Sequence, residues 1–308
     1  MARISKNVQE INGILKPDDL ASWVSNKYVT WRGKQEGWMS QSKELRNYLF
    51  QTSTRDTANN SLPWKNTTSV PKLAQLRDNL HANYYAALFP NDNWFKWEAA
   101  EKDAETVDQA RLIEAYMQQK IRESGFKQAI SRALYDYIDY GNAFGEVSYE
   151  SSVHVDGQGQ STLVYNGPRL NRISPYDIYF DVSDDEFKDA GKVTRRIVSL
   201  GSLKQAYEDN PEGFPWIPAA IEDAIKTRQT LKAYGDSDVD KSEGLQIDGF
   251  GDLSTYYSDD MIEILEYEGD LFDMETGEVM TGYRVIIVDR RKVVHKEPYD
   301  SWLGRSNK

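Results

Sequence analysis

The sequence predicts an α+β fold, with helices first and antiparallel strands after them. Three observations predict it. Apolar residues recur at three- and four-residue steps through much of the first 140 positions. The period changes to two at Ala143, directly after Gly141 and Asn142. Beyond position 260, short strand-like segments are separated by the turn-forming runs METGE and DRR. The chain therefore divides into a helical region, 1–142, and a mixed α/β region, 143–308, which holds an acidic loop at 236–260.

The first helix opens after Pro17, where Asp18 and Asp19 supply an acidic first turn. Val24, Trp31, Trp38 and Leu45 follow at spacings of seven with mostly polar residues between them, which predicts a long helix with a narrow apolar stripe. Trp31, Trp38 and Leu45 are thereby assigned to helix packing. Residues 51–68 read as a polar loop. Ser69, Val70 and Pro71 read as cap and first turn of a second helix, with Leu73, Leu76, Leu80, Ala87 and Leu88 on its inward face. A third begins near Asp103, turns Val107, Ala110, Ile113, Met117 and Ile121 inward, and ends at Gly125.

In the fourth helix Phe126, Ile130, Leu134, Tyr137 and Ile138 form the packing stripe, so Tyr135, Asp136 and Asp139 fall away from it. Tyr140, Gly141 and Asn142 form a structural hinge, because glycine enters the left-handed conformation without strain and asparagine tolerates it. Ala143, Gly145, Val147 and Tyr149 then share one strand face. A hairpin turns at Asp156-Gly157 and returns through Thr162–Tyr165. Extended segments are expected near 177–181 and 192–198, helices near 201–208 and 217–234, and strands near 261–267, 283–288 and 292–295.

At 308 residues the chain is long enough for one large domain or two smaller ones. A hydrophobic content of 39% with 12% aromatics is too rich for a disordered chain. There is no cysteine, which fits an intracellular or virus-like assembly better than a small secreted scaffold. The N-terminal residues lack a signal-like apolar core, and no run approaches a membrane-spanning length, so a soluble protein without a membrane partner is expected. Net charge is −12, unevenly placed. Residues 1–75 carry 11 Lys and Arg against 6 Asp and Glu, a net of +5, which leaves −17 for the remainder; residues 236–260 hold eight acids and one lysine. Such asymmetry marks either partner surfaces or solvated faces.

Recognisable chemistry is sparse. His81, His154 and His295 lie far apart, and no GxSxG, P-loop or GxGxxG run occurs. GNAFGEV has two glycines and leads into a strand, the wrong context for a dinucleotide fingerprint. Asp236, Asp238 and Asp240 begin a calcium-loop pattern, but Lys241 stands where glycine is needed and Ile247 where a bidentate acid is needed. Carboxylate pairs are not diagnostic in a chain with 49 acids. No catalytic, cofactor-binding or metal-ligating residue is assigned, and the protein is expected not to be an enzyme.

Five segments taken in order carry a resemblance: VPKLAQLRDNLHANYYAALFPNDNWFKWEA (70–99), ALYDYIDYGNAFGEVSYE (133–150), RISPYDIYFDVS (172–183), the arginine-bearing VTRRIVSL, and GSLKQAYED (201–209). Together, over about residues 20–300, they resemble the N-terminal half of a portal protein of a short-tailed bacteriophage. The resemblance implies a cyclic homo-oligomer, a dodecamer when full length, which sits at one capsid vertex as the conduit for DNA packaging and genome ejection. It implies no catalytic site, since the packaging ATPase is a separate terminase. The implied partners are further copies of the chain, the major capsid protein, terminase, tail adaptor proteins and duplex DNA that passes without sequence preference. The implied location is the virion, assembled in the host cytoplasm.

Portal chains are usually longer, so the resemblance implies a wing-like fragment or short homologue without most of the stem, clip and crown. An acidic balance is compatible with a conduit, because sliding DNA gains from weakly binding or repulsive walls. Two other readings compete. A carbohydrate-active or carbohydrate-binding protein is suggested by eight Trp, 19 Tyr and many acids, and would place Trp31, Trp38 or Trp97 in a groove beside paired carboxylates. Another virion head-tail adaptor is the second.

Overall fold

The computed structural model describes residues 17–50, 72–91, 94–99, 103–155, 161–183, 186–187, 190–209, 211–212, 217–234, 261–272, 277 and 279–299. The fold is α+β. Helices α1 (Pro17–Phe50), α2 (Lys72–Leu88), α3 (Ala104–Glu123) and α4 (Phe126–Tyr140) precede the strands β1 (Phe144–Val155), β2 (Ser161–Ile173), β3 (Ile178–Phe180) and β4 (Lys192–Ser199). Next come α5 (Leu200–Asp209), α6 (Ile217–Tyr234), β5 (Met261–Phe272), β6 (Val279–Val288) and β7 (Lys292–Pro298). The acidic segment 236–260, the loop 51–68 and the Asp156-Gly157 turn lie outside the described residues.

Two compact units divide the chain. One comprises residues 1–39 and 176–306, the other residues 40–175 and 307–308. The change from helix to strand near residue 142 therefore falls inside the second unit, and α1 contributes to both.

In the first unit, β3 to β7 pair in sequence order as a five-stranded antiparallel sheet. Strand β5 is buried on both faces, so its alternation sorts residues between two cores. Leu265 and Tyr267 point to the face covered by α1, where Leu20, Val24, Tyr28 and Trp31 pack. Ile262 and Ile264 point to the other, covered by α5 and α6 through Leu203, Ile217, Ala220 and Ala224. The DRR turn joins β6 to β7 with Asp289 at φ 47° and Arg290 at φ 62°, the pair of left-handed residues that a type I′ hairpin turn requires. Glu263 accepts from Arg290 Nε at 2.8 Å and is itself buried, which anchors the turn.

The α1 stripe departs from the sevenfold line. Trp31 is buried and stacks on Tyr267 at 6.2 Å, and Trp38 is half-buried against Tyr176 at 5.9 Å. Leu45, however, is 54% exposed, whereas Gln35 and Ser42 are buried. A straight helix drifts by about 20° per heptad, so three heptads carry Leu45 roughly 60° off the face of Val24. Ser42 is five full turns of about 3.6 residues from Val24 and returns to that face.

In the second unit, Asp103 caps α3 by accepting from the Thr106 amide. Gly125, at φ 70°, breaks α3 from α4, and Gly141, at φ 75°, ends α4 with its N–H on the Tyr137 carbonyl. Ile113, expected inward, is 41% exposed. Strands β1 and β2 form an antiparallel two-stranded hairpin with Val164 as an extra, bulged residue of β2.

Candidate functional site

Helices α2 and α4 meet along a seam that is not apolar. Asp139 accepts from Arg77 Nε at 2.6 Å and Nη2 at 2.8 Å, a bidentate fork. The Arg77 guanidinium also lies over the Tyr135 ring at 4.3 Å, and His81 stacks on the same ring at 3.9 Å. His81 Nε2 is 3.0 Å from both the Ser131 carbonyl and its hydroxyl. Further along, Phe89 meets Phe126 edge-on at 6.5 Å. Ascending positions on α2 thus meet descending ones on α4, the order of an antiparallel helix pair. Ser131, Tyr135 and Asp139, four residues apart, are the α4 side of this ladder.

The expected faces of both helices are therefore turned. On α2, Leu73, Leu76, Leu80 and Leu88 are 36% to 56% exposed, and Arg77, His81 and Tyr85 face the partner instead. On α4, Ile130 and Leu134 are half-buried as expected, but Tyr137 is 52% exposed and touches Tyr84 edge-on. Asp136, expected to fall away, is buried and receives a bidentate Arg172 from β2, with Nη2 to Oδ1 at 2.6 Å. Burial outweighs Arg172 and holds the Asp136 carboxyl above its ordinary pKa.

At the hinge, Arg46 Nη1 donates to the Tyr140 hydroxyl at 3.4 Å, while Gly141 and Asn142 are exposed. The run YDYIDYG at 135–141 is thus a two-sided coupling. Tyr135 and Asp139 tie α4 to α2, Asp136 ties it to the hairpin, and Gly141 lets the chain turn from one to the other.

The hairpin is amphipathic in an inverted sense. On one face Asn171 Nδ2 donates to Ser148 and Glu150 at 2.9 and 3.0 Å, Arg169 pairs with Glu150 at 2.8 Å, and Glu146 is buried. On the opposite face Val147 lies across from Leu170 and Tyr149 across from Pro168. Val147 is 52% and Tyr149 71% exposed. Polar groups look inward and apolar ones outward.

Two features test for chemistry. His81 Nε2 donates where the Ser131 carbonyl is its partner, and in that tautomer it is not a base for the Ser131 hydroxyl. A cleft of about 590 Å³ is lined by Trp94, Phe95, Ile121, Arg122 and Lys127, with Glu123 as the one carboxylate among its lining residues. Glu123 accepts from Gln119 at 2.7 Å and Lys120 at 3.1 Å, so no pair of carboxylates faces the cleft as glycoside hydrolysis requires. Buried Trp31 does not form a sugar platform; Trp97 is 48% exposed, and its amide donates to Glu114 at 3.3 Å. Among the described residues, no cluster of three His, Asp or Glu could hold a metal ion, and no helix is long and apolar enough to cross a membrane.

The first unit carries a feature that sequence reasoning missed. Lys192, Glu268, Arg284 and Glu297 lie directly opposite one another across β4, β5, β6 and β7, a row of alternating charge. Lys192 and Glu268 are buried within it. Cross-strand pairs of opposite charge stabilise such a register, and like charges would oppose it. The alternating acids of MIEILEYEGD were its only visible signal, because the partners depend on strand register.

A scan against protein-family models finds no match, and a search of curated proteins finds none either.

Proposed function

We propose that the protein is a structural subunit of a phage portal ring, the conduit for DNA at the capsid vertex, and that this chain forms its wing-like part. One observation carries the reading beyond the sequence resemblance. In the second unit Arg77, Asp139, Asp136 and Arg172 are spent on internal ties, while α2 and the hairpin turn large apolar side chains outward. Contiguous outward apolar faces on a chain with a net charge of −12 suit burial against protein neighbours in an assembly. They do not suit a phosphate grip, which needs clustered Lys and Arg.

In this reading the subunit has no catalytic role. Its partners are further copies of itself, the major capsid protein, terminase and tail adaptors, with duplex DNA passing through the ring without specific contact. It acts in the virion after assembly in the host cytoplasm. Native mass spectrometry at rising concentration and two salt levels tests it. The expected result is a concentration-dependent cyclic series that is labile for this chain alone. A chain that stays monomeric at every concentration and cleaves a polysaccharide would overturn it.

A further inference from the structure

We infer that the cleft between the Trp94-Phe95 segment and the corner joining α3 to α4 is a binding site for one nucleotide, its base laid against the aromatic side and its phosphate held by Arg122 and Lys127. All its lining residues belong to the second unit, so the inference stands apart from the ring reading. Its volume of about 590 Å³ falls inside the range of about 300 to 1,000 Å³ typical of sites for small organic ligands.

Three kinds of group converge there. Trp94 and Phe95 are half-buried, and Trp94 is positioned by lying flat on Phe126 at 6.0 Å with Phe89 edge-on at 5.2 Å. A ring fixed before the ligand arrives loses little freedom on binding. Arg122 is exposed and pairs with no carboxylate among the described residues, while Lys127 Nζ lies over the Phe89 ring at 5.6 Å. Glu123 accepts from Gln119 and Lys120, so it does not cancel the cationic side of the cleft. Gly125 begins α4 without a side-chain cap, and the positive end of that helix reinforces the two cations. Gln118 and Gln128 supply carboxamides, and Gln118 Nε2 donates to Glu114 at 3.3 Å, which leaves its Oε1 to accept from a base amino group.

Competing ligands match only part of this set. Inorganic phosphate uses the cations and leaves the aromatic rings idle, whereas an uncharged aromatic does the reverse. Duplex DNA keeps its base faces inside the stack, so only an unstacked nucleotide can lay a ring against Trp94. A free nucleotide and a nucleotide within a single strand carry the same base and phosphate.

Calorimetric titration of the full chain with dAMP tests the site. One molecule per chain should bind, and adenosine and inorganic phosphate should each bind at least about tenfold more weakly. Arg122→Gln should weaken dAMP about tenfold, leave adenosine unchanged and keep the melting temperature, because Arg122 is an exposed side chain. Trp94→Leu should weaken dAMP and adenosine alike; Arg122→Gln alone decides the matter if Trp94→Leu lowers the melting temperature. A short single strand of deoxyadenylate that binds more tightly than dAMP assigns the site to strands, and the reverse order assigns it to free nucleotide. Phosphate binding as tight as dAMP, duplex binding as tight as the single strand, an unchanged dAMP affinity in Arg122→Gln, or no binding of dAMP and strand at millimolar concentration would each overturn the inference.

Discussion

Asp139 accepts two hydrogen bonds from Arg77, a residue 62 positions earlier in the chain, and the same guanidinium covers the Tyr135 ring. The Asp139 side chain is 9% exposed and that of Arg77 18%, so neither charge is well solvated without the other. Arg77→Met strands the carboxylate and should destabilise the fold by about 2 to 3 kcal/mol in denaturant titration. Arg77→Lys should recover only part of that, because an ammonium has neither the fork nor the planar stack. An unchanged midpoint for Arg77→Met would show that the seam is held by other contacts.

The Asp136 carboxyl has a pKa raised above its ordinary 3.8, burial being the larger cause and the Arg172 pair opposing it. Between the unfolded value and the raised folded value the native state binds more protons. Its contribution is therefore fully present below pH 3.8 and is lost as pH rises through the folded value. Asp136→Asn should abolish that component, so the stability difference between wild type and variant should depend on pH in this acidic window and be flat above it. A difference that is flat throughout would contradict the assignment.

Lys296 is buried, and its Nζ lies over the Tyr283 ring at 5.5 Å without a hydrogen-bond partner among the described residues. Burial pushes its pKa down to about 8 from 10.5. Between those two values the unfolded state holds the extra proton, so this group makes stability rise with pH from about 8 to 10.5. Buried Tyr179 and Tyr267 and half-buried Tyr299 have raised pKa values, desolvation being the main cause, and their contribution is lost above pH 10. Lys296→Met should remove the rise, leave the tyrosine fall, and gain about 1 to 2 kcal/mol at pH 7. Equal pH profiles for both proteins would contradict this.

Gly141 has φ 75°, and a Cβ built on it meets nothing within 4 Å. The cost of replacing it is therefore conformational and not steric crowding. Gly141→Val should lower stability by roughly 1 to 3 kcal/mol, and Gly141→Asn by clearly less, because asparagine enters the left-handed region more readily. Equal melting temperatures for all three proteins would remove the argument for the hinge.

Features set by local chemistry were legible in the sequence. Asp103 caps α3, Gly141 ends α4 and the DRR turn joins two strands because each depends on residues within a few positions. The inward faces of α2 and α4 were not legible. A rule that leucines point inward ranks Leu76 above Arg77, and only the arrival of Asp139 and Tyr135 from a distant helix reverses that order. In α1 the sevenfold line through Leu45 tracked a coiled-coil seam, whereas a straight helix keeps the 3.6-residue period that returns to Ser42. The alternating row from Lys192 to Glu297 was hidden for a third reason. Its members become neighbours only when four strand registers are fixed together.

The most direct test of the ring account is electron microscopy of the protein at high concentration after mild amine cross-linking, which holds labile contacts long enough to image. The account predicts closed rings of a single rotational order around an open centre. Two-fold dimers, open filaments or single chains as the only particles would contradict it.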